Sequence, residues 1–253
     1  MLEKILGTKK EELAQFQMTE LDYTERKRYS FKYALTHPNH SIGLIAEVKK
    51  ASPSKGIFRD TIDPAAIGKE YALAGADCIS VLTDKTYFQG SIENLVKVRE
   101  QVKIPILRKD FIIDHRQVEE SNRIGADAIL LIAAALEPKK LLDLYLYAEE
   151  LGLESLVEVH NEEELDQVLT TFKPSVLGIN NRNLKTFETT LETTKKLVSM
   201  VPKDLVLVSE SGVHTHENIE FLKDLGVNGC LVGEALIRAK TPTDGINQLF
   251  GLV

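Results

Sequence analysis

Charged side chains stand at the ends of several short apolar runs in the sequence. Glu47 and Lys49 close the run GLIAEVK two positions apart, so both side chains point to one face of an extended segment. Lys109 closes PILRK, and Glu158 lies in LVEVH. Lysines and carboxylates that meet in one cavity acquire different pKa values, because burial and neighbouring charges shift them. These residues therefore predict general acid and base chemistry.

Further polar groups occupy the same kind of position elsewhere in the chain. Asn180 and Arg182 lie at the end of VLGINNR, and Glu210 and Ser211 lie at the end of LVLVSES. A single charge after an apolar run is usually a solvated loop residue, and one salt bridge explains an adjacent acid and amine. Five runs that all end in charged or amide groups favour a shared functional site.

Two glycines follow apolar runs near the carboxyl terminus. Gly212 lies in SESGV and Gly233 in LVGEAL, where a short helix is predicted to begin. Exposed backbone N–H groups in such turns bind anions, and in α/β barrels the last two strand–helix loops often hold phosphate. The alternative is that both glycines only form tight turns. Their joint occurrence favours a phosphate site.

A repeated pattern indicates which elements position these residues. A helical segment, a glycine and then an apolar run recur around Gly75, Gly125, Gly152 and Gly226, at spacings that fit multiples of about 25 residues. This pattern is typical of a helix that ends in a left-handed glycine and leads into a strand.

The apolar runs predict eight strands that are buried on both faces, as in a parallel sheet. The predicted strands are Gly43–Val48, Cys78–Thr83, Pro105–Lys109, Ala128–Ile132, Glu154–Val159, Ser175–Asn180, Leu205–Ser209 and Gly229–Gly233. The predicted helices between them are Pro64–Ala74, Ile92–Val102, Arg116–Ile124, Pro138–Leu151, Glu162–Thr171, Leu191–Val201 and His216–Leu225. This alternation predicts an α/β fold, a (β/α)8 TIM barrel. An open doubly wound sheet is less favoured, because no GxGxxG follows the first strand.

Residues 1–40 lie outside the repeat and are charged and helical in pattern. We expect them to form an N-terminal helical extension packed over one end of the barrel, the alternative being a loosely attached arm. The whole chain, 1–253, is then a single barrel domain.

Composition excludes several classes of protein. Of 253 residues, 43% are apolar, which excludes a disordered chain. The net charge of −7 argues against a nucleic-acid partner. The longest apolar stretch, Ala128–Leu136, is too short to span a membrane, and the charged amphipathic N-terminus is unlike a secretory signal. A cytoplasmic protein is therefore expected.

The metal and redox signals are weak. Cys78 and Cys230 lie inside apolar runs and are expected to be buried thiols in a reducing compartment rather than a disulfide. His214 and His216 are expected to flank the start of a solvent-exposed helix rather than to bind a metal. His115 and His160 lie just beyond strand ends, where they could contact the pocket, and we assign them no role.

Taken together, six segments resemble the indole-3-glycerol phosphate synthase family. They are IAEVKKASPSKG, ILRKDFIID, LVEVH, GINNRNL, VSESGV and LVGEALIR. The resemblance runs in order from about Leu44 to Arg238, and the helical extension also fits the family. It implies conversion of 1-(2-carboxyphenylamino)-1-deoxyribulose 5-phosphate to indole-3-glycerol phosphate, with loss of carbon dioxide and water, in tryptophan biosynthesis. It implies a phosphorylated small-molecule substrate and no metal or organic cofactor, and a monomer is plausible.

The resemblance also implies roles for individual residues. Lys109 is the general acid of ring closure, Glu158 is the acid and base of the dehydration, and Lys49 holds the substrate carboxylate. Glu47 positions Lys49, while Asn180 and Glu210 contact the sugar hydroxyls. The implied phosphate ligands are Ser211, Gly212, Gly233 and Glu234. Ser52, in the first loop, and Arg182 are further implied substrate contacts. The residues implied to enclose the aromatic ring of the substrate are Phe88, Phe111, Leu131 and Leu184.

Two other functions stay open at this point. A related phosphate-binding barrel that isomerises a phosphoribosyl compound would usually carry a Cys/Asp or Asp/Asp pair where this chain has Glu47 and Asn180. A non-catalytic barrel would be expected to lack a catalytic residue, yet both lysines and all three carboxylates are present.

Overall fold

The computed structural model describes residues 1–53, 55–184 and 186–252. Ser54, which the sequence places in the loop after the first strand, lies outside the described residues.

Eight parallel strands form a closed barrel, which confirms the predicted fold class. They are β1 (Gly43–Val48), β4 (Cys78–Leu82), β5 (Ile106–Lys109), β6 (Ala128–Ile132), β7 (Glu154–Val159), β8 (Val176–Asn180), β9 (Val206–Glu210) and β10 (Gly229–Val232). The last strand pairs with both β9 and β1 and so closes the ring. A short antiparallel hairpin, β2 (Ala51–Ser52) with β3 (Gly56–Ile57), lies in the loop after β1.

The helices alternate with the barrel strands as predicted. They are α1 (Leu2–Ala14), α2 (Phe31–Thr36), α3 (Pro64–Leu73), α4 (Ile92–Arg99), α5 (His115–Arg123), α6 (Pro138–Glu150), α7 (Glu162–Thr171), α8 (Glu192–Leu197), α9 (His216–Asp224), α10 (Glu234–Arg238) and α11 (Pro242–Phe250). The predicted helix Leu191–Val201 is shorter in the structure, and a 3-10 turn at Val198–Met200 completes it.

The repeated glycines end their helices as the pattern predicts. Gly75 has φ of 91° and Gly125 has φ of 89°, and Gly152 and Gly226 are also left-handed. A side chain disfavours this conformation, so glycine allows the backbone to turn at once from helix into strand.

The two faces of each strand belong to two separate cores. Ile45, Leu107, Leu130 and Leu156 pack with one another inside the barrel. Their neighbours along the strands, such as Ile129, pack outward against the helices. Because side chains alternate along a strand, every second residue faces the barrel axis.

The N-terminal extension contacts both ends of the barrel, whereas one end was predicted. At the carboxyl end of the strands, Lys9 of α1 forms ion pairs of 2.8 Å with Asp84 and 3.0 Å with Asp110. At the opposite end, α2 inserts Phe31 and Leu35 into the inner core. The sequence shows only an amphipathic helical pattern, and such a pattern does not specify where the chain crosses the outside of the barrel.

The intervening segment is held to the outside of the barrel by polar contacts. Arg26 pairs with the buried carboxylate of Asp127 at 2.7 Å, and Ser30 donates a hydrogen bond to Glu154 at 2.9 Å. Both acceptors lie at or just before the start of a strand, so these contacts fix the path of the chain between α1 and α2.

Cys78 and Cys230 are buried free thiols, as predicted. Cys78 belongs to the inner core and Cys230 to the outer one. In the parts of the chain that the structure describes, no helix is long and apolar enough to cross a membrane. The same residues contain no cluster of His, Cys, Asp or Glu that could hold a metal ion.

Candidate active site

A cavity of about 570 Å³ opens at the carboxyl ends of the barrel strands. It brings together all but one of the site residues predicted from the sequence. Those that line it are Glu47, Lys49, Ser52, Phe88, Lys109, Phe111, Glu158, Asn180, Arg182, Leu184, Glu210, Ser211, Gly212, Gly233 and Glu234. Separate stretches of sequence thus converge on one cavity, whose size suits a small molecule.

The prediction for Leu131 is wrong. Leu131 is fully buried in the outer core between the sheet and the helices. Its neighbours Leu130 and Ile132 line the cavity instead. The cause is the alternation of side chains along β6: a run that is apolar throughout does not reveal which residues face inward.

Lys109 occupies the centre of the charged cluster. Its Nζ lies 3.5 Å from Glu158 Oε2 and 3.4 Å from Glu210 Oε2. Burial alone would lower the pKa of Lys109, but the charges of Glu158 and Glu210 outweigh it and raise the pKa. The lysine is therefore an ammonium ion that can donate a proton into the cavity.

Glu158 and Glu210 have opposite pKa shifts. Burial opposes ionisation of both carboxyl groups. For Glu158, the Lys109 charge and a hydrogen bond with His160 overcome burial and lower the pKa to about 2. For Glu210, burial and the adjacent Glu158 charge raise the pKa to about 8. At neutral pH the cluster therefore presents one carboxylate and one largely protonated carboxyl group.

Two glycines leave room for these charged groups. A Cβ on Gly178 would lie 2.3 Å from Glu210 Oε1, and a Cβ on Gly233 would lie 2.4 Å from Glu47 Oε2. Both distances are far below van der Waals contact. Any larger residue at either position would displace a carboxylate from the cavity wall.

Glu47 and Lys49 share a face, as their spacing predicts, and they form an ion pair in the cavity wall. Lys49 Nζ lies 2.6 Å from Glu47 Oε2, and both side chains are largely buried. The ammonium group also lies 5.4 Å from the centre of the Phe58 ring. Lys49 is thus held at the cavity rim by a carboxylate and an aromatic face.

The turn after β9 has a strained backbone that a buried amide supports. Ser211 has φ of 65°, which is uncommon for a residue other than glycine, and Gly212 has φ of 83°. The Asn181 side-chain amide donates to the backbone oxygens of Glu210 at 3.0 Å and Ser211 at 2.9 Å. These bonds fix the direction of the backbone at the predicted phosphate site.

The apolar wall combines the predicted Phe88 and Phe111 with residues that the sequence did not indicate. Phe88 and Phe111 face each other with ring centres 6.2 Å apart. Met1, which precedes α1, and Leu2 and Ile5 of α1 also line the cavity. Nothing in the sequence of α1 identifies them as site residues, because their position depends on the path of the extension.

Ser52 is also part of the cavity wall. It lies in the small hairpin after β1, and its side chain is buried. Its hydroxyl oxygen makes no hydrogen bond to the rest of the described chain. That polar atom is suited to receive or donate a hydrogen bond when a ligand occupies the cavity.

His160, to which the sequence assigns no role, contacts the charged cluster. Its Nε2 lies 3.2 Å from Glu158 Oε1, and its Nδ1 lies 3.0 Å from Glu164 Oε2. Strand alternation does not predict this contact, because His160 lies beyond the end of β7 and outside the cavity that Glu158 lines. His115, by contrast, pairs with Asp143 at 3.2 Å outside the cavity. Thr215 caps α9, so His214 and His216 flank a helix start as predicted, but His214 also lines the cavity instead of facing only solvent.

Comparison with known proteins identifies the family. The model of the family "Indole-3-glycerol phosphate synthase" matches residues 2–249. The chain belongs to this family. The chain is 55% identical to the indole-3-glycerol phosphate synthase of Geobacillus thermodenitrificans, over 99% of this chain and 97% of the relative. It is 53% identical to that of Halalkalibacterium halodurans, over 99% of this chain and 97% of the relative.

Solved structures of lower identity support the fold alone. The 3-hexulose-6-phosphate synthase of Salmonella typhimurium has a TM-score of 0.66 at 11% identity, covering 83% of this chain and 98% of that one. The thiamine phosphate pyrophosphorylase of Pyrococcus furiosus has a TM-score of 0.60 at 15% identity, covering 83% of this chain and 94% of that one. The barrel is shared, and the specific chemistry comes from the cavity residues.

Proposed function

We propose that the cavity converts 1-(2-carboxyphenylamino)-1-deoxyribulose 5-phosphate to indole-3-glycerol phosphate by ring closure, decarboxylation and dehydration. Membership of the family supports the reaction. The observation that carries the proposal is the position of the Lys109 ammonium within 3.5 Å of two buried carboxyl groups, Glu158 and Glu210, in one cavity. A proton donor and a proton acceptor are thus available side by side.

The cavity offers a separate environment for each part of this substrate. The turns at Ser211, Gly212, Gly233 and Glu234 would bind the phosphate through backbone N–H groups. Lys49 and Arg182 would hold the carboxylate, and Asn180 would contact the sugar hydroxyls. Phe88, Phe111 and Leu184, with Leu130 and Ile132 in place of Leu131, would enclose the aromatic ring.

Ring closure is assigned to Lys109. The ring carbon that bears the carboxylate attacks the substrate ketone, and an electron pair of the ring forms the new C–C bond. Lys109 transfers a proton to the ketone oxygen as the C=O bond opens. An ammonium in this position offsets the negative charge that develops on that oxygen, which is the main electrostatic requirement of the step. Loss of carbon dioxide then returns an electron pair to the ring and restores aromaticity.

Dehydration requires both an acid and a base. The hydroxyl leaves as water after it accepts a proton, and a C–H proton of the newly closed ring is transferred to a base as the final double bond forms. Glu158 is suited to the base role because it is ionised at neutral pH. The protein contributes only proton transfers to these steps, so the proposed reaction requires no cofactor. We further propose that the enzyme acts in the cytoplasm as a monomer and has no nucleic-acid partner.

The experiment that tests the proposal follows indole fluorescence after the purified protein is mixed with the substrate. We expect product formation, and a loss of about 10²- to 10⁴-fold in kcat for Lys109→Met, the range of a positioned general acid. Lys103→Met is the matched control, because Lys103 is exposed on the loop that precedes β5. A wild-type protein that forms no indole would refute the function. A Lys109→Met variant with wild-type turnover would refute the role of Lys109.

A further inference from the structure

His160 is a buried base that the proposed steps leave unused. Its side chain is 6% exposed and is clamped between two carboxylates, Glu158 on β7 and Glu164 on α7. Glu164 Oε2 also accepts a hydrogen bond from the His160 backbone N–H at 2.8 Å. The imidazole is therefore held through Nδ1, and its Nε2 lies within ion-pair distance of a carboxylate oxygen that belongs to the candidate site.

The two oxygens of Glu158 face different cations. Oε2 lies 3.5 Å from Lys109, and Oε1 lies 3.2 Å from His160. Lys109 is inside the cavity, whereas His160 lies in the wall of a separate cleft on the protein surface, between α7 and the segment that precedes and includes α8. His160 thus contacts Glu158 from the side that faces away from the substrate.

The charges around this group favour a protonated imidazole. Burial lowers the pKa of His160, but hydrogen bonds with Glu158 and Glu164 raise it to about 10. Glu158 in turn faces Lys109 on β5, Glu210 on β9 and Asn180 on β8. The remaining charged residues around the outer cleft are Glu162, Glu163, Glu192 and Lys196.

The proposed reaction itself creates a need for this second cation. Once Lys109 has transferred its proton to the ketone oxygen, it is a neutral amine and no longer stabilises the Glu158 charge. Glu158 then lies beside an anionic substrate, which favours its protonation. A base that became protonated at this stage could not remove the ring proton.

We propose that His160 is a positioning residue that keeps Glu158 ionised and correctly turned after Lys109 has released its proton. This inference rests on the proposed function. His160 contributes a charge that the chemistry does not consume, because it contacts neither the substrate cavity nor the reacting atoms. It acts only through Glu158.

The test compares pH profiles of single-turnover indole formation. His160→Gln keeps a hydrogen-bond donor but removes the charge, so we expect the acidic limb of the profile to move up by about 1–3 pH units, the effect of one nearby opposite charge on a carboxyl pKa. Glu164→Gln should move it in the same direction by less, because it weakens the clamp and leaves the imidazole in place. Glu163→Gln, an exposed neighbour on α7, is the matched control and should leave the profile unchanged.

Chemical rescue separates charge from packing. In His160→Ala the outer cleft gives small molecules access to the vacated space while substrate occupies the cavity. We expect imidazole to restore the rate at low pH and pyrazole, which has the same shape but stays neutral, to have no effect. Unshifted profiles in both His160 variants, or equal rescue by the two compounds, would overturn the proposal. A wild-type protein that forms no indole would instead refute the function on which it rests.

Discussion

Replacement of Lys9 by methionine tests how the N-terminal extension is attached. Lys9 is 3% exposed, and its ammonium group pairs with Asp84 and Asp110 in the loops after β4 and β5. Methionine retains most of the volume of the side chain but removes the charge. Two buried carboxylates then lose their shared cation.

The expected magnitude follows from what the carboxylates retain. Removal of one partner from a buried ion pair typically costs about 3–5 kcal/mol. Asp84 keeps hydrogen bonds from the backbone N–H groups of Tyr87 and Phe88, and Asp110 keeps an arginine and a threonine hydroxyl. Because both carboxylates keep these contacts, we expect the free energy of unfolding to fall by about 3 kcal/mol, the lower end of that range. For a protein of this size that corresponds to a Tm lowered by about 6–12 °C.

Thermal unfolding followed by circular dichroism measures this loss. Lys10→Met is the control, because Lys10 is the exposed neighbour on the same helix and should change stability by less than about 0.5 kcal/mol. A double variant with Asp84→Asn should lose less than the sum of the two single losses, by about 0.5–3 kcal/mol, if the two groups interact directly. Equal melting of Lys9→Met and Lys10→Met, or additive losses in the double variant, would refute the attachment of α1 through this pair.

Two further predictions concern the cavity. The raised pKa of Glu210, about 8, means that its contribution to stability is complete below the ordinary carboxyl pKa and is lost as pH rises towards 8. The Tm of Glu210→Gln should therefore increase relative to that of wild type as the pH is raised over this range. A difference in Tm that stays constant with pH would contradict the raised pKa of Glu210. Leu130→Ala should raise KM by about tenfold or more, since it removes part of the cavity wall. Leu131→Ala should instead lower stability by about 2–5 kcal/mol with KM unchanged, and equal KM values for both variants would contradict the assignment of their faces.

The barrel was predictable because its signals are local. Each strand is a short apolar run, and a glycine such as Gly75 or Gly125 marks the point where a helix must turn into it. The carboxyl ends of the strands could therefore be located closely, together with Lys109 and Glu158. Both the helical pattern and the glycine position report on the backbone of a few neighbouring residues, so no long-range information was needed.

The sequence did not predict the residues whose position depends on which face of a strand they occupy or on contacts with distant parts of the chain. Leu131 was placed in the cavity because a fully apolar run does not show which residues face inward. The inward residues follow from the pairing of Ile132 with Glu158 in the adjacent strand, which only the structure shows. His160 follows Glu158 by two residues but lies beyond the end of β7 and outside the cavity, so strand alternation did not indicate its contact with Glu158. The position of α1 required the ion pairs of Lys9 with Asp84 and Asp110, which lie far along the chain and which no local pattern encodes.

Closure of the ring by its last strand has a consequence for biosynthesis. Translation produces β1 early, yet its partner β10 is among the last segments to leave the ribosome. A chain that stops before residue 229 leaves β1 and β9 as open edges, which are prone to pair with other chains. Premature termination is therefore expected to yield open, aggregation-prone sheets rather than shorter active proteins.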